Sequence, residues 1–234
     1  MSAERNGGAP GEALAPAASF SQDERDAVYR AIYERRDVRN EFLDRDIPRE
    51  TIMRVLDAAH HAPSVGFMQP WNFILVTQRE LRARVHEAFA SAVAAEEAAM
   101  PDDKRSLYRS LKLEGILKAP LNICVTCDRS RNGATGLGRT QQPNTDLLSA
   151  ACAVQNLWLA ARVEGIGVGW VSILRDDDLR EILGVPQEIA IVAYLCVGFI
   201  DLAYARPELE VKNWARRLPL DGLVFENVWG ARTK

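Results

Sequence analysis

The chain has 234 residues, 47% of them hydrophobic and 26% charged, with Gly 15 and Pro 11. Those fractions match globular averages and exclude wholesale disorder, collagen-like repeats and a mucin-like stalk. Lys+Arg 29 against Asp+Glu 32 leaves a formal net charge of −3, so no basic field recommends nucleic acid or an anionic membrane as a partner.

The first twenty residues are rich in Ala, Gly and Pro but carry Glu4, Arg5 and Glu12. No continuous apolar segment of a secretory signal fits there, and a tail is expected over 1–20. Ser21-x-x-Glu24 forms a capping box, followed by Val28, Ala31 and Ile32 at helical spacing. A helix is predicted from residue 22 to the mid-thirties. Pro48 opens a second helix with Ile52, Val55, Leu56 and Ala59 on one face, and Pro63 ends it. Residues 72–77 read as a buried strand, and Thr77-x-x-Glu80 predicts the cap of a long, Ala-rich helix. That helical region continues to residue 117 with a break at Pro101, and suits a mobile cover or a dimer-facing arm.

Residues 121–127 read as the next strand, followed by a polar loop over 128–143. Leu147, Ala151, Val154, Trp158 and Ala161 trace the face of a buried helix. A strand over 168–173, a short helix over 176–183 stopped by Gly184, and a strand over 189–198 complete the ordered pattern. The apolar run 189–200 has about 12 residues, too short to cross a bilayer. Beyond Ala203 the chain is irregular, rich in Pro and Trp, and needs something to pack against, such as a partner subunit. With no repeat and no dividing linker, residues 21–234 are read as one α+β domain.

Four cysteines in a chain this long do not make a disulfide framework. Cys124-x-x-Cys127 could signal redox or zinc chemistry, but no second pair or nearby His completes a tetrahedral site. Small buried side chains in a strand, in a reducing cytoplasm, fit better. His60, His61 and His86 have no metal spacing, and no metal is expected.

Three groups of residues could carry chemistry. In Arg35-Arg36-Asp37-Val38-Arg39, a helical Arg35 and Arg39 would share a face and repel unless an anion lay between them. Guanidinium forks match phosphate oxygens, although cations also simply complement a helix C-terminus. Asp37 among three cations would stay ionised and available as a base. The loop from Ala62 to Asn72 (APSVGFMQPWN) presents Ser, Gln and Asn side chains on rigid backbone, suited to the hydroxyls and ring edge of a ligand. Gly165-x-Gly167-x-Gly169 fails the dinucleotide spacing, and its glycines are expected to precede a strand, with Ser172 at the strand end.

Together these segments resemble the flavin-dependent nitroreductase superfamily, and within it the BluB-type 5,6-dimethylbenzimidazole synthases. The likeness covers residues 20–230 and rests on RRDVR at 35–39, APSVGFMQPWN at 62–72, LKLEGI at 111–116 and GVGWVSI at 167–173. Ordinary nitroreductases more often carry Ser where Asp37 stands. The resemblance implies an intertwined homodimer with a mixed, mainly antiparallel sheet surrounded by helices and active sites at the subunit interface. It implies that Arg35, Arg36 and Arg39 hold an FMN phosphate, with Arg217 a further candidate and Asp37 and Val38 in the same contacting run. Pro63, Ser64 and Asn72 would meet the ribityl chain or ring edge, while Met68 and Leu113 would lie near the ring. Gly169 would let the ring approach the backbone. Asp37 would supply acid–base function and Ser172 an orienting hydrogen bond. The implied reaction consumes reduced FMN and O₂, yielding 5,6-dimethylbenzimidazole and erythrose 4-phosphate, with a separate NAD(P)H flavin reductase supplying the reduced flavin. An NAD(P)H-dependent nitroreductase or flavin reductase, and a non-catalytic flavin-holding protein, are the competing expectations.

Overall fold

The computed structural model describes residues 16–131 and 137–231; most of the expected tail, 1–15, lies outside them. Helix α1 (Gln22–Glu34) starts with the expected capping box. Ser21 Oγ accepts the Glu24 N–H while Glu24 accepts the Ser21 N–H. Its apolar side chains are not covered within this chain: Val28, Tyr29, Ile32 and Tyr33 are all exposed. Helix α2 (Arg49–His60) has Pro48 at its N-cap and buries Val55 and Ala59, with Ile52 and Leu56 packed alongside.

Strand β1 (Trp71–Val76) leads into α3 (Arg79–Ala99). Gln78, not Thr77, is the N-cap of α3, and it makes no side-chain capping bond. The strand runs to Val76 and leaves no room for a cap at Thr77. After the break at Pro101, α4 (Asp102–Ser110) follows, and residues 111–120 are not helical. Strand β2 (Leu121–Asp128), α5 (Thr145–Val163), β3 (Ile166–Val171), α6 (Asp176–Leu183), β4 (Ile189–Phe199) and the short α7 (Glu208–Val211) complete the order. Gly184 ends α6 in a left-handed conformation (φ 67°), as its lack of a Cβ permits.

The sheet has the order β1-β2-β4-β3 with every neighbouring pair antiparallel. Among the described residues the one parallel pairing is an isolated bridge between Asp37 and Val168, alongside β3. Side chains alternate across it as strand geometry requires. Leu121, Ile123 and Val125 of β2 pack with Val154, Leu157 and Ala161 of α5. Cys124 packs on the other face with Val85, Phe89 and Leu179 of α3 and α6. The buried face of α5 is Ala150, Ala153, Val154, Leu157, Trp158 and Ala161. Ala151, expected there, is exposed, because the contact stripe runs one residue to its side.

Strand β3 begins at Ile166, so Gly167 and Gly169 lie inside it and only Gly165 precedes it, in a turn at φ 74°. The reason is crowding. A Cβ on Gly167 would meet Val38 and Ile200, and one on Gly169 would meet the Val38 carbonyl.

Candidate functional site

The Arg35–Arg39 segment is not helical. Arg35 is the C-cap of α1 with extended backbone (φ −59°, ψ 135°), so Arg35 and Arg39 do not share a helix face. The chain instead runs along β3. The Val38 N–H donates to the Val168 carbonyl at 3.0 Å, and Val38 is buried. Alternation along this extended stretch sends Val38 into the core and turns its neighbours toward a cavity of about 860 Å³.

Arg35, Arg36, Asp37, Arg39, Leu113, Ser172 and Arg217 all line that cavity. They come from the α1 end, the segment after α4, the end of β3 and the C-terminal stretch. Lys112, Gln155, Trp170 and Glu208 are among the further lining residues to which the sequence reading gave no role. Lys112 and Trp170 stood within recognised motifs, at 111–116 and 167–173, without a role of their own. Glu208 lies in the stretch where local patterns gave no sign of placement.

The arginines differ in what they can offer. Arg36 is engaged with backbone carbonyls: Nε donates to Tyr204 at 2.9 Å, Nη1 to Tyr33 and Arg35 at 2.7 Å each, and Nη2 to Ala205. It ties the stretch after β4 to α1 and has little left for a ligand. Arg35 lies over the Trp158 ring, 4.7 Å from its centroid. Burial pushes its guanidinium below its ordinary range, opposed by Asp37. Arg39 is paired with Asp37. Arg35, Arg39, Lys112, Arg206 and Arg217 therefore supply the positive charge that could take a phosphate.

Asp37 accepts the Trp170 N–H at 2.9 Å and Arg39 Nη1 at 2.6 Å. Its side chain is 42% exposed to the cavity, but surrounding protein atoms displace much of its water. That loss of hydration pushes its carboxyl above the usual range, while Arg39, the Trp170 N–H and Arg35 pull it back. The result is a carboxylate readier to take a proton than an exposed one. Ser172 follows β3 directly and brings a hydroxyl to the same cavity. The Trp170 ring and the apolar Leu113 and Ile173 supply flat and apolar wall. Positive charge, an aromatic wall and hydroxyl and amide groups fit a flat heterocycle carrying a phosphate.

The remaining expected residues lie elsewhere in this chain. Asn72 is on β1 and Ser172 adjoins β3, the two edges of the sheet. Three inter-strand spacings separate them, about 14 Å. The loop before β1 is strained, with Phe67 at φ 52° and Gln69 at φ 46° besides Gly66 at φ 60°. Ser64 Oγ accepts the Gln69 N–H at 3.1 Å, which turns that hydroxyl oxygen inward. Pro63 is exposed at the loop entrance, whereas Met68 is buried.

Arg131, also missed from sequence, clamps this loop. It donates to the Gln69 carbonyl at 2.6 Å, the Trp71 carbonyl at 3.1 Å and Asn72 Oδ1 at 2.7 Å. Met68, Trp71, His60 and Arg131 line a second cavity of about 640 Å³. Gly169 faces neither cavity by way of its missing Cβ. The Val38 carbonyl and Arg39 Nη1 fill that place, so packing of the chain on itself already requires a glycine there.

Among the described residues no group of three or more His, Cys, Asp or Glu side chains could hold a metal ion. No helix among them is long and apolar enough to cross a membrane.

Residues 32–199 match the profile of the nitroreductase family. The chain is 41% identical over 200 residues to the 5,6-dimethylbenzimidazole synthase of Rhodospirillum rubrum, covering 86% of this chain and 94% of that protein. It is 37% identical over 203 residues to the protein of the same name from Rhodobacter capsulatus, covering 87% and 98%. A BluB-like flavoprotein from Clostridium difficile 630 superposes with a TM-score of 0.63 at 20% identity, covering 84% of this chain and 97% of that one. That last likeness is one of fold.

Proposed function

The chain belongs to the nitroreductase family, and from that premise we propose that it is a 5,6-dimethylbenzimidazole synthase. Its substrate is reduced FMN, fragmented with O₂ to 5,6-dimethylbenzimidazole, the lower ligand of cobalamin, and erythrose 4-phosphate. One observation carries the reading. A carboxylate, Asp37, and a hydroxyl, Ser172, meet in one cavity that Arg35, Arg39 and Arg217 also line. A reductase that returns its flavin intact has no comparable need for a carboxylate there.

FMN supplies the redox and oxygen chemistry when bound. The chain supplies position and protons. Arg35, Arg39 and Arg217 hold the phosphate, Trp170 and Leu113 border the ring, and Ser172 orients it through a hydrogen bond. Asp37 holds or moves a proton near the ring.

We further propose that the working unit is a homodimer, each copy one flavin-binding domain over 21–234, in which the Ser64–Asn72 loop of one copy reaches the cavity of the other. The separation of Asn72 from Ser172 and the uncovered apolar side chains of α1 support this. A separate NAD(P)H flavin reductase supplies reduced FMN in the cytoplasm.

The protein is mixed with reduced FMN and air, and flavin absorbance is followed alongside product mass. Flavin loss with dimethylbenzimidazole is expected; NAD(P)H oxidation with intact flavin would make it a reductase, and neither would make it a carrier. Asp37→Asn and Ser172→Gly should bind FMN and lose product.

A further inference from the structure

Asp37 and Arg39 form a closed pair around one intervening residue. Arg39 Nη1 donates to Oδ1 at 2.6 Å, and Nη2 meets Oδ2. Both carboxylate oxygens are thus occupied by one guanidinium in the two-pronged geometry that holds such pairs most firmly. The pairing leaves Asp37 a poorer proton acceptor than burial alone would make it, because protonation discards the pairing. Yet Asp37 shares the cavity with Ser172, and Arg39 lines it too, as do the carboxylates of Glu208 and Glu210.

The two partners are not equally anchored. Asp37 is fixed by the Trp170 N–H at 2.9 Å and by its bridge to Val168. Among the described residues the Arg39 side chain makes no hydrogen bond except to Asp37. It is only 14% exposed, and Arg35, Lys112, Arg206 and Arg217 line the same cavity. Arg36 cannot relieve it, being engaged with four carbonyls. A phosphoryl group entering the cavity offers Arg39 the same two-pronged match with more charge.

We infer that Arg39 masks Asp37 until a phosphoryl group draws the guanidinium away, so that the phosphate of the ligand switches on proton transfer at Asp37. The inference rests on the synthase reading for its ligand, but the masking itself is a property of the chain. Asp37 acts with Arg35 and Arg39 on its own segment and with Cys196 on β4, and the other charged groups lining the cavity are Arg36, Lys112, Arg206, Glu208, Glu210 and Arg217. Of these, Arg39 is the cation with the strongest pull on it. Loss of Arg39 and arrival of a phosphate charge both raise its proton affinity.

The Trp170 amide resonance reports on Asp37 directly, so its pH titration is followed in flavin-free protein with and without inorganic phosphate. Phosphate is expected to raise the apparent pKa by about one unit, a tenfold gain in proton affinity. In Arg39→Gln the pKa should already be raised and phosphate should add nothing. A wild-type titration indifferent to phosphate overturns the inference without any variant. Turnover separates it from the functional reading. Reduced riboflavin in air should yield dimethylbenzimidazole about tenfold faster with inorganic phosphate than without. If reduced FMN yields dimethylbenzimidazole and riboflavin yields it equally with and without phosphate, the switch is wrong. If reduced FMN yields none at all, the synthase reading fails, and the amide titration still decides the masking.

Discussion

The carbonyl oxygen of Val38 occupies the place that a Cβ on Gly169 would need, well inside van der Waals contact. Two extended segments therefore touch backbone to backbone, and this contact sets how far Asp37 stands from Ser172. Gly169→Ala must push them apart. Overpacking of this kind costs about 1–3 kcal/mol, read as a lower urea midpoint, and product yield should fall with it because Asp37 shifts. Gly222 has nothing within 4 Å of its would-be Cβ. Gly222→Ala should stay within about 0.5 kcal/mol of the parent.

Cys124, Cys127 and Cys196 are buried. Burial pushes the Cys124 and Cys196 thiols up to about 12 and the Cys127 thiol up to about 11. Thiolate is the reactive form, so these three should be inert at neutral pH. At most one thiol per native chain, that of the exposed Cys152, should react with a disulfide reagent. All four should react in denaturant. A second fast thiol in native protein would return Cys124-x-x-Cys127 to consideration as a redox motif.

Signals that act over a few residues were legible: the Ser21 capping box, the break at Pro101, the stop at Gly184 and the buried cysteine strand. Long-range pairings were not. Arg36 is bonded to Tyr204, 168 positions away, and nothing near either residue announces it. The same cause undid the helical reading of Arg35–Arg39. Val38 leaves the helix because Val168 takes its N–H, and only the fold brings Val168 there. Composition of the cationic cluster was visible in the sequence; the division of labour within it was not. Arg131 went unnoticed because its three acceptors lie across a loop, with no charge or spacing to mark them.

Arg131→Ala should release the strained loop. Phe67 and Gln69 hold left-handed backbone that costs of order 1 kcal/mol each unless neighbours enforce it. Removing the clamp on Gln69 and Trp71 should lower stability by about 1–3 kcal/mol, and hydrogen exchange should quicken first over 64–72. Arg131→Lys should recover only part, since one ammonium cannot replace a fork spanning three acceptors. Equal exchange in all three proteins would show that Ser64 alone, through the Gln69 N–H, sets the loop.

The raised pKa of Asp37 has a stability consequence with a definite sign. Burial lifts its folded value above the ordinary 3.8 despite Arg39 and the Trp170 N–H. Between those two values the folded chain binds more protons than the unfolded one, so stability falls as pH rises through that window. Above the folded value the whole cost of keeping the carboxylate charged is present. Asparagine has the same shape and carries no such cost. Asp37→Asn should therefore match the parent near pH 3.8 and become the more stable of the two as pH rises, the gap levelling above the folded pKa. Urea midpoints from pH 4 to 8, in buffer free of phosphate, measure it. A parent that overtakes Asp37→Asn as pH rises would mean that pairing with Arg39 outweighs burial. In that case the carboxylate gains from its partner more than it loses to the cavity, and its proton affinity lies below that of an exposed aspartate.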